Sequence, residues 1–167
     1  MTASMQVCIA VADASRARLF TLNRSADGEG VHEELSEQRD LVNPARRRTP
    51  AQLFSDTRPG SNRTGGLQYT FDDHRDAHVD ALDTEFARAV VAELTALLRT
   101  TQAQRLIVCA SPRMLGEIRK VGDALRQYAI PIDEVPRDLV RFTPAELRDQ
   151  LVCYGLLPAR PRAVREA

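Results

Sequence analysis

The sequence predicts an α/β fold in which antiparallel strands begin a mixed sheet and parallel crossover units complete it. Short apolar runs separated by turn residues fill the first part of the chain, as in β-hairpins. The second half alternates helical periodicity with short apolar strands, the pattern of parallel βαβ units. A chain of 167 residues, 43% of them hydrophobic, is long enough for one domain with its own core.

Three strands are predicted first. Apolar runs over 6–13 and 16–22 flank a turn and should pair as a β-hairpin. A second turn, over 27–30, leads to a polar and weakly alternating segment over 31–41. We interpret this segment as a third strand at the edge of the sheet.

A long loop over 43–71 follows, rich in proline and glycine, with one helical turn predicted at 51–54. A loop of this length inside a compact domain is usually functional or disordered. Its arginines outnumber its acids by five to one, whereas the segments on both sides are acidic. We call this stretch the basic segment, and its arginines are Arg46, Arg47, Arg48, Arg58 and Arg63.

The second half of the chain alternates helices and strands. The predicted elements are helices over 73–99, 112–128 and 144–154 and strands over 105–110 and 132–135. Ser111 before Pro112 predicts a helix start, and Thr143 with Glu146 predicts a capping box. An RNase H-like arrangement fits this order best, with one domain over 1–157 and a flexible tail over 158–167.

Composition narrows the cellular setting. No apolar run approaches the roughly 18 residues that span a bilayer, and the N-terminus lacks a basic region leading into an apolar stretch. We therefore expect a soluble cytoplasmic protein that does not bind membranes. The cysteines Cys8, Cys109 and Cys153 lack metal-binding spacing, so we expect buried free thiols. We expect no metal and no small-molecule cofactor.

Several isolated residues permit two interpretations. His74 and His78 have the spacing of a helical metal pair, but a solvated helix face is the more frequent meaning of such a pair. Asp13 fits one ligand of a metal nuclease, and it fits better as a turn residue that caps nearby amides. Ser111 and Arg113 could hold an anion at a helix start, or Ser111 could be a plain N-cap.

The residues before the long helix combine several nucleic-acid-binding groups. Gly65 and Gly66 allow unusual backbone conformations, Tyr69 offers a stacking face, and Gln68 could position a water or a ribose hydroxyl. The arginines of the basic segment are suitable phosphate partners. The alternative is a surface loop whose charge merely balances its acidic flanks.

Four stretches of sequence resemble the bacterial host attachment protein family. They are VADASRARLF at 11–20, SDTRPGSNR at 55–63, ASPRMLGEIRK at 110–120 and DLVRFTPAELRDQL at 138–151. That family is similar to the catalytic middle domain of archaeal and eukaryotic peptide-chain release factors. The resemblance implies an RNase H-like fold with a Gly-Gly-Gln loop just before a long helix.

The corresponding place in this sequence holds Gly65, Gly66 and Gln68, with Leu67 inserted between the second and third. The release-factor glutamine orders a water against the peptidyl-tRNA ester, and one extra residue displaces that group by roughly 3.5 Å. The resemblance implies a ribosome- or tRNA-binding factor, with Gln68, Gly65 and Gly66 as candidate catalytic residues. The arginines of the basic segment and Arg113 are the candidate nucleic-acid contacts.

A second hypothesis comes from the name of the family. Under this hypothesis the chain is a non-enzymatic protein-interaction factor needed for attachment to host cells. An exposed strand edge would then allow a homodimer.

Overall fold

The computed structural model describes residues 3–27, 30–47 and 70–160, which form a five-stranded mixed sheet covered on both faces. Its strands are β1 (Ala3–Ala12), β2 (Arg16–Asp27), β3 (Gly30–Val42), β4 (Arg105–Ala110) and β5 (Ile132–Val135). Its helices are α1 (Pro44–Arg47), α2 (Thr70–Thr101), α3 (Pro112–Val121), α4 (Asp123–Arg126) and α5 (Pro144–Cys153).

The strand order across the sheet is β3-β2-β1-β4-β5. β1, β2 and β3 are antiparallel neighbours, whereas β4 runs parallel to both β1 and β5. The predicted antiparallel start and parallel completion of a mixed sheet are thereby confirmed. β1 is the central strand, and the carboxyl ends of β1 and β4 meet at one edge, which we call the upper end of the sheet.

One face of the sheet packs against α2, α3 and α4. Alternate residues of the strands supply this core, among them Cys8, Leu19 and Val108. The matching apolar side of α2 includes Phe86, Val90, Leu94 and Leu97, which the helical periodicity predicted.

The other face is covered by the C-terminal part of the chain. Val7, Ile9 and Phe20 belong to this second core, with Leu147 and Leu151 of α5 packed against them. The buried residues Leu139, Val140 and Leu157 flank α5 and complete the layer. The segment over 136–158 is therefore the whole of what covers this face within the described chain.

Helix α2 is longer than the sheet it packs on. Its 32 residues extend about 48 Å, whereas the 10 residues of β1 extend about 33 Å. The first side chain of α2 that is fully buried among those described is Asp83, and residues 76–78, 80 and 81 are exposed. The described side chains of α2 before Asp83 are therefore exposed or only partly buried.

Several boundaries differ from the sequence predictions: the strands predicted over 6–13 and 16–22 are Ala3–Ala12 and Arg16–Asp27. The chain forms α1 at Pro44–Arg47, within the predicted loop, because Asn43 Oδ1 accepts from the amide of Ala45 and proline occupies the first turn. The helical turn predicted at 51–54 lies outside the described residues. The helix predicted over 112–128 is divided at Gly122 into α3 and α4.

Two further corrections concern α2 and the thiols. Helix α2 begins at Thr70, three residues before its predicted start. Cys8 and Cys109 are buried as predicted, but Cys153 is exposed. The prediction for Cys153 was wrong because Leu147 and Leu151 turn one side of α5 toward the sheet, and a position two residues beyond Leu151 lies on the opposite side of the helix.

Candidate functional site

The candidate site lies at the upper end of the sheet, where the chain leaves the described fold at Arg47 and where α3 begins. The β1–β2 turn, the end of β3, α1 and the start of α3 all meet there. Two hydrogen bonds join the first of these elements: the amide of Asn43 donates to Ser15 O at 2.8 Å, and Asn43 Nδ2 donates to Ala14 O at 2.8 Å. Asn43 therefore fixes the start of the basic segment onto the β1–β2 turn.

A buried carboxylate, Asp83 of α2, holds two of the candidate arginines. Arg46 Nη2 donates to Asp83 Oδ2 at 2.9 Å, and Arg113 Nη2 lies 3.2 Å from the same oxygen. Arg113 also pairs with Asp80, one helical turn earlier on α2. The side chain of Asp83 is only 2% exposed, and its other oxygen has no hydrogen-bond partner among the described residues. Because a buried carboxylate needs cationic partners, this group draws α1 and α3 together on α2.

A second buried carboxylate, that of Glu117, links α3 to α2. Thr84 Oγ1 donates to Glu117 Oε2 at 2.6 Å, and Lys120 Nζ donates to Glu117 Oε1 at 2.7 Å. These two hydrogen bonds hold the pKa of Glu117 below its usual value, and the one from Lys120 has the larger effect. Glu117 therefore remains charged at neutral pH, and it fixes α3 against α2 directly below the Asp83 cluster.

A pocket of about 380 Å³ opens beside the β1–β2 turn. It is lined by Ser15, Arg16, Asp40, Val42, Asn43 and Arg46. Arg16 makes a two-pronged contact with Asp40, through Nε at 2.8 Å and Nη2 at 2.6 Å, and this contact raises the pKa of Arg16. The pocket therefore combines two guanidinium groups with one carboxylate.

The structure brings two of the sequence-predicted site residues together and leaves the others outside its description. Arg46 and Arg113 meet at Asp83, and only the backbone of Arg47 is described. The remaining candidates lie outside the described residues: Arg48, Arg58, Arg63, Gly65, Gly66 and Gln68. The predicted nucleic-acid contacts and catalytic residues thus stay predictions.

The turn and cap interpretations are confirmed. Asp13 Oδ1 accepts from the amides of Ser15 at 2.7 Å and Arg16 at 2.8 Å. Ser111 Oγ accepts from the amide of Met114, and the capping box of Thr143 and Glu146 is present at the start of α5. The hydrogen bonds from Thr143 hold the pKa of Glu146 below its usual value. These polar side chains therefore shape the backbone, as their local patterns indicated.

Sequence reasoning missed Asp83 and Glu117, although each interrupts an apolar helical pattern. Asp83 stands four residues after Val79 and three before Phe86, on the side of α2 that packs on the sheet. Glu117 follows Met114 by three residues in the same way. A charged residue in a buried stripe signals a required partner, and that signal was available from the sequence.

The described side chains form no metal site, and the two buried thiols have raised pKa values. Among the side chains described, no three His, Cys, Asp or Glu residues converge in a way that could hold a metal ion. Burial raises the pKa of the Cys109 thiol to about 12, and burial also raises the pKa of Cys8. Both thiols are therefore protonated and unreactive at neutral pH.

The family of the chain follows from a comparison with family models. Residues 8–151 match the model described as "Protein required for attachment to host cells". The chain belongs to this family. The match extends from β1 to α5. It also confirms the resemblance to host attachment proteins, whereas the release-factor relation stays a prediction.

Solved structures give distant similarities to this member of the host attachment family. The Ppx/GppA enzyme of Aquifex aeolicus is similar over 80% of this chain and 36% of its own, with 12% identity and a TM-score of 0.40. RuvC of Thermus thermophilus is similar over 94% of this chain and 84% of its own, with 11% identity and a TM-score of 0.40. The chain spans about a third of the length of the Ppx/GppA protein.

Two further findings complete the comparison. No curated protein matches the chain. Within 3–27, 30–47 and 70–160, no helix is both long and apolar enough to cross a membrane.

Proposed function

We propose that this host attachment family protein is a cytoplasmic RNA-binding factor that contacts tRNA or the ribosome through its basic segment. The observation that carries the proposal is the anchoring of Arg46 on the buried Asp83. This contact, with Asn43 on the β1–β2 turn, fixes the described start of the basic segment on the fold. A rigid start of this kind supports the segment as a binding element.

The charge for binding RNA comes from the segment itself. The arginines that the structure describes at the upper end are already paired with carboxylates, as Arg16, Arg46 and Arg113 show. Residues 47–69, which follow α1 directly in the sequence, contain four arginines and one acid. Because phosphate contacts dominate affinity for nucleic acids, these four arginines supply most of the binding free energy in the proposal.

The exposed N-terminal part of α2 suits a factor that contacts a larger assembly. Gly65, Gly66 and Gln68 lie just before α2 in the sequence, and the described side chains of α2 before Asp83 are exposed or only partly buried. The sheet order, with β2 antiparallel to β1 and β4 parallel to it, supports an RNase H-like assignment. Together these features favour the proposed relation to release factors.

The proposal is tested by co-sedimentation with ribosomes and by tRNA binding at about 50 and about 300 mM salt. The quadruple variant Arg47→Glu/Arg48→Glu/Arg58→Glu/Arg63→Glu leaves Arg46 unchanged, because reversal of Arg46 would place two carboxylates against each other at Asp83. We expect at least a tenfold loss of affinity in this variant and steep weakening by salt in the unmodified protein.

The matched control reverses four exposed arginines elsewhere: Arg88, Arg99, Arg137 and Arg141. This control has the same net charge as the test variant and should keep most of the binding. Equal loss in both variants would show that total charge, rather than the basic segment, drives association. Absence of binding by the unmodified protein at low salt would overturn the proposal.

The catalytic extension of this proposal is peptidyl-tRNA ester hydrolysis, with Gln68 orienting the water. If the extension holds, Gln68→Ala should slow cleavage by about a hundredfold, because a misplaced water loses the attack geometry. Binding by the same variant should be unchanged. Equal cleavage rates for the two proteins would remove the extension and leave the binding proposal intact.

A second candidate function is a protein-interaction factor that pairs through strand β3. The outer side of this 13-residue strand pairs with no other strand among the described residues. Val31 and Val42 at its two ends are two of the three large hydrophobic residues that the structure describes as exposed. A homodimer in sedimentation equilibrium that dissociates on Val31→Glu/Val42→Glu would favour this candidate.

A further inference from the structure

Strand β3 is an edge of the sheet within the described chain, and its side chains change face along the strand. Before Gln38 the odd-numbered residues lie on the α5 side, as Glu33 does in its contact with Arg148. After Gln38 the even-numbered residues lie on that side, because a bulge adds one residue opposite β2. Arg39 accordingly reaches Glu93 of α2 on the other side of the sheet.

This change of face restricts how β3 can pair with the same strand of a second copy. Two copies of an edge strand pair antiparallel about a two-fold axis, so directly opposed residues point to the same face. The part of β3 before the bulge can therefore pair with the part after it only where an odd-numbered residue lies opposite an even-numbered one. One register that meets this condition opposes Val31 to Val42 and so uses almost the whole strand.

The apolar residues at the two ends of β3 match in this register. Val31 and Val42 are each 37% exposed, and both lie on the α5 side of the sheet. Their pairing occurs twice in a symmetric dimer, once at each end of the strand. Directly opposite residues on one face lie close enough for their side chains to touch, so each pair removes apolar surface from water.

Charged residues of β3 match in the same register. Glu34 lies opposite Arg39 of the second copy, again twice, and both side chains lie on the α2 side. Glu34 contacts the hydroxyl of Ser36 and no cation in the described chain. Arg39 binds Glu93 through Nε and the carbonyl oxygen of Gln38 through Nη1, which leaves Nη2 available within the described chain. Opposite charges thus face each other where each still has bonding capacity.

One pair of like charges is also opposed, and both of its members are already neutralised. Glu33 lies opposite Asp40 of the second copy in this register. Glu33 binds Arg148 at 2.7 Å, and Asp40 binds Arg16 at 2.6 Å, each within its own protomer. The pair therefore brings no uncompensated charge to the interface.

We infer that β3 pairs with β3 of a second copy of this chain, in the register that opposes Val31 to Val42. Residues 31–34 of each protomer pair with residues 39–42 of the other, on either side of a centre formed by the two bulges. The inference rests on the second candidate function and adds to it the symmetry and register of the interface. The basic segment follows Val42 directly, so the two basic segments of the dimer begin roughly 35–40 Å apart, the length of the paired strand.

Disulfide trapping tests the register. In a Cys153→Ser background, which removes the exposed native thiol, Val31→Cys/Val42→Cys places two thiols opposite each other at both ends of the strand. We expect mild oxidation to convert most of this variant to a covalent dimer and to leave either single variant monomeric on a denaturing gel. The matched control His32→Cys/Val42→Cys puts its thiols on opposite faces and should not cross-link.

Charge exchange tests the same register without covalent trapping. Glu34→Arg should raise the dimer Kd by about three- to tenfold in sedimentation equilibrium, because arginines then face each other twice. Glu34→Arg/Arg39→Glu restores opposite charges and should recover most of the affinity. The control Asp123→Arg makes the same change of charge on α4, which lies between β4 and β5 in the chain, and should have no effect.

The outcomes separate this inference from the functions proposed above. A dimer that dissociates on Val31→Glu/Val42→Glu but fails either register test would overturn the inference alone. A monomer at every concentration tested would overturn it together with the second candidate function, and RNA binding by the basic segment would stand.

Discussion

The β1–β2 turn is shaped from within by the carboxylate of Asp13. Its Oδ1 accepts hydrogen bonds from the backbone amides of two successive residues, Ser15 and Arg16. This arrangement also sets the position of Arg16, whose guanidinium reaches Asp40 on β3. The side chain of Asp13 thus fixes both the turn between β1 and β2 and the position of Arg16 at the upper end of the sheet.

Replacement of Asp13 tests this role. We expect Asp13→Ala to lower the free energy of unfolding by about 1–2 kcal/mol, because both amides lose their acceptor. Asp13→Asn keeps an acceptor oxygen and should stay within about 0.5 kcal/mol of the unmodified protein. Urea unfolding measures both changes, and equal stabilities of the two variants would contradict the role.

The charged form of Glu117 stabilises the fold. The free energy of unfolding should therefore decrease as the pH falls and Glu117 becomes protonated. The pKa of Glu117 is lower in the folded protein than in the unfolded chain, and this contribution is complete above about pH 5 and lost as pH falls through the folded value. Glu117→Gln should cost about 1 kcal/mol at pH 7. It should then lose less stability than the unmodified protein between about pH 5 and pH 3.

Denaturant unfolding at a series of pH values checks this prediction. Glu85→Gln, an exposed position two residues from the cluster's Asp83, removes the same charge and serves as the control. Its pH profile should follow that of the unmodified protein. A Glu117→Gln profile parallel to the control would refute the assigned role.

Side chains that bind nearby residues could be predicted from the sequence, whereas side chains that bind distant residues could not. Asp13, Ser111 and Thr143 bind amides two or three residues away, so short patterns predicted them. Asp83 and Glu117 meet partners more than 30 residues away in the chain. Their partners could not be predicted, because nothing in the sequence fixes which helices become neighbours.

The weak alternation of β3 has a physical cause. Leu19 pairs with Arg39 and Phe20 with Glu37, so Gln38 forms a bulge opposite β2. The bulge shifts alternate residues from one face to the other: Leu35 joins the core under α5, whereas Leu41 joins the core under α2. A pattern of period two therefore breaks in the middle of the strand, and the sequence predicted the strand but not its change of face.

The break between α3 and α4 depends on a glycine. A Cβ atom on Gly122 would lie 2.7 Å from the carbonyl oxygen of Ile118, a backbone atom that cannot move cheaply. We expect Gly122→Ala to lower stability by about 1–3 kcal/mol. Gly116→Ala in the middle of α3 meets open space and should raise stability by about 0.5–1 kcal/mol. Thermal unfolding measures both, and a stabilised Gly122→Ala protein would contradict the packing argument.

At the scale of the molecule, three arginines fasten the C-terminal segment to the sheet. Arg18 binds Glu37 and the carbonyl oxygens of Val140 and Phe142. In the same manner, Arg105 binds one carboxylate and the carbonyl oxygen of Leu156. Arg148 binds one carboxylate and the carbonyl oxygen of Pro158. Because a guanidinium carries five donors in a fixed plane, one side chain joins a strand to a separate segment. These three arginines therefore have a structural role.

Arg18→Lys tests this attachment. Lysine keeps the charge but cannot reach Glu37 and two carbonyls together, so we expect a loss of about 2–4 kcal/mol in stability. Hydrogen exchange should increase first over 136–158, while α2 stays protected. The control Arg126→Lys changes an exposed arginine and should have little effect. Uniform exchange across the whole chain would contradict a local attachment.

The fold class was predictable because it depends on the order of elements. The sequence indicated which segments are strands and helices, and the helical crossover predicted between β4 and β5 favoured their parallel pairing. The position of β1 between β2 and β4 was not predictable, since pairing across a hundred residues leaves no local trace. The candidate site was partly visible: the arginines stood out by charge, whereas the pocket at Asp40 exists only once β3 and α1 are in place.

The central position of β1 has a consequence for the synthesis of the chain. Its hairpin with β2 can form early, but Val7 waits for Arg105 and Arg18 waits for Val140. At about 5–20 residues per second, the last of these segments follows the hairpin by roughly 5–20 seconds. A nascent chain thus exposes the apolar face that α5 later covers until that segment is made, so chaperones that shield exposed sheets are expected to raise its yield.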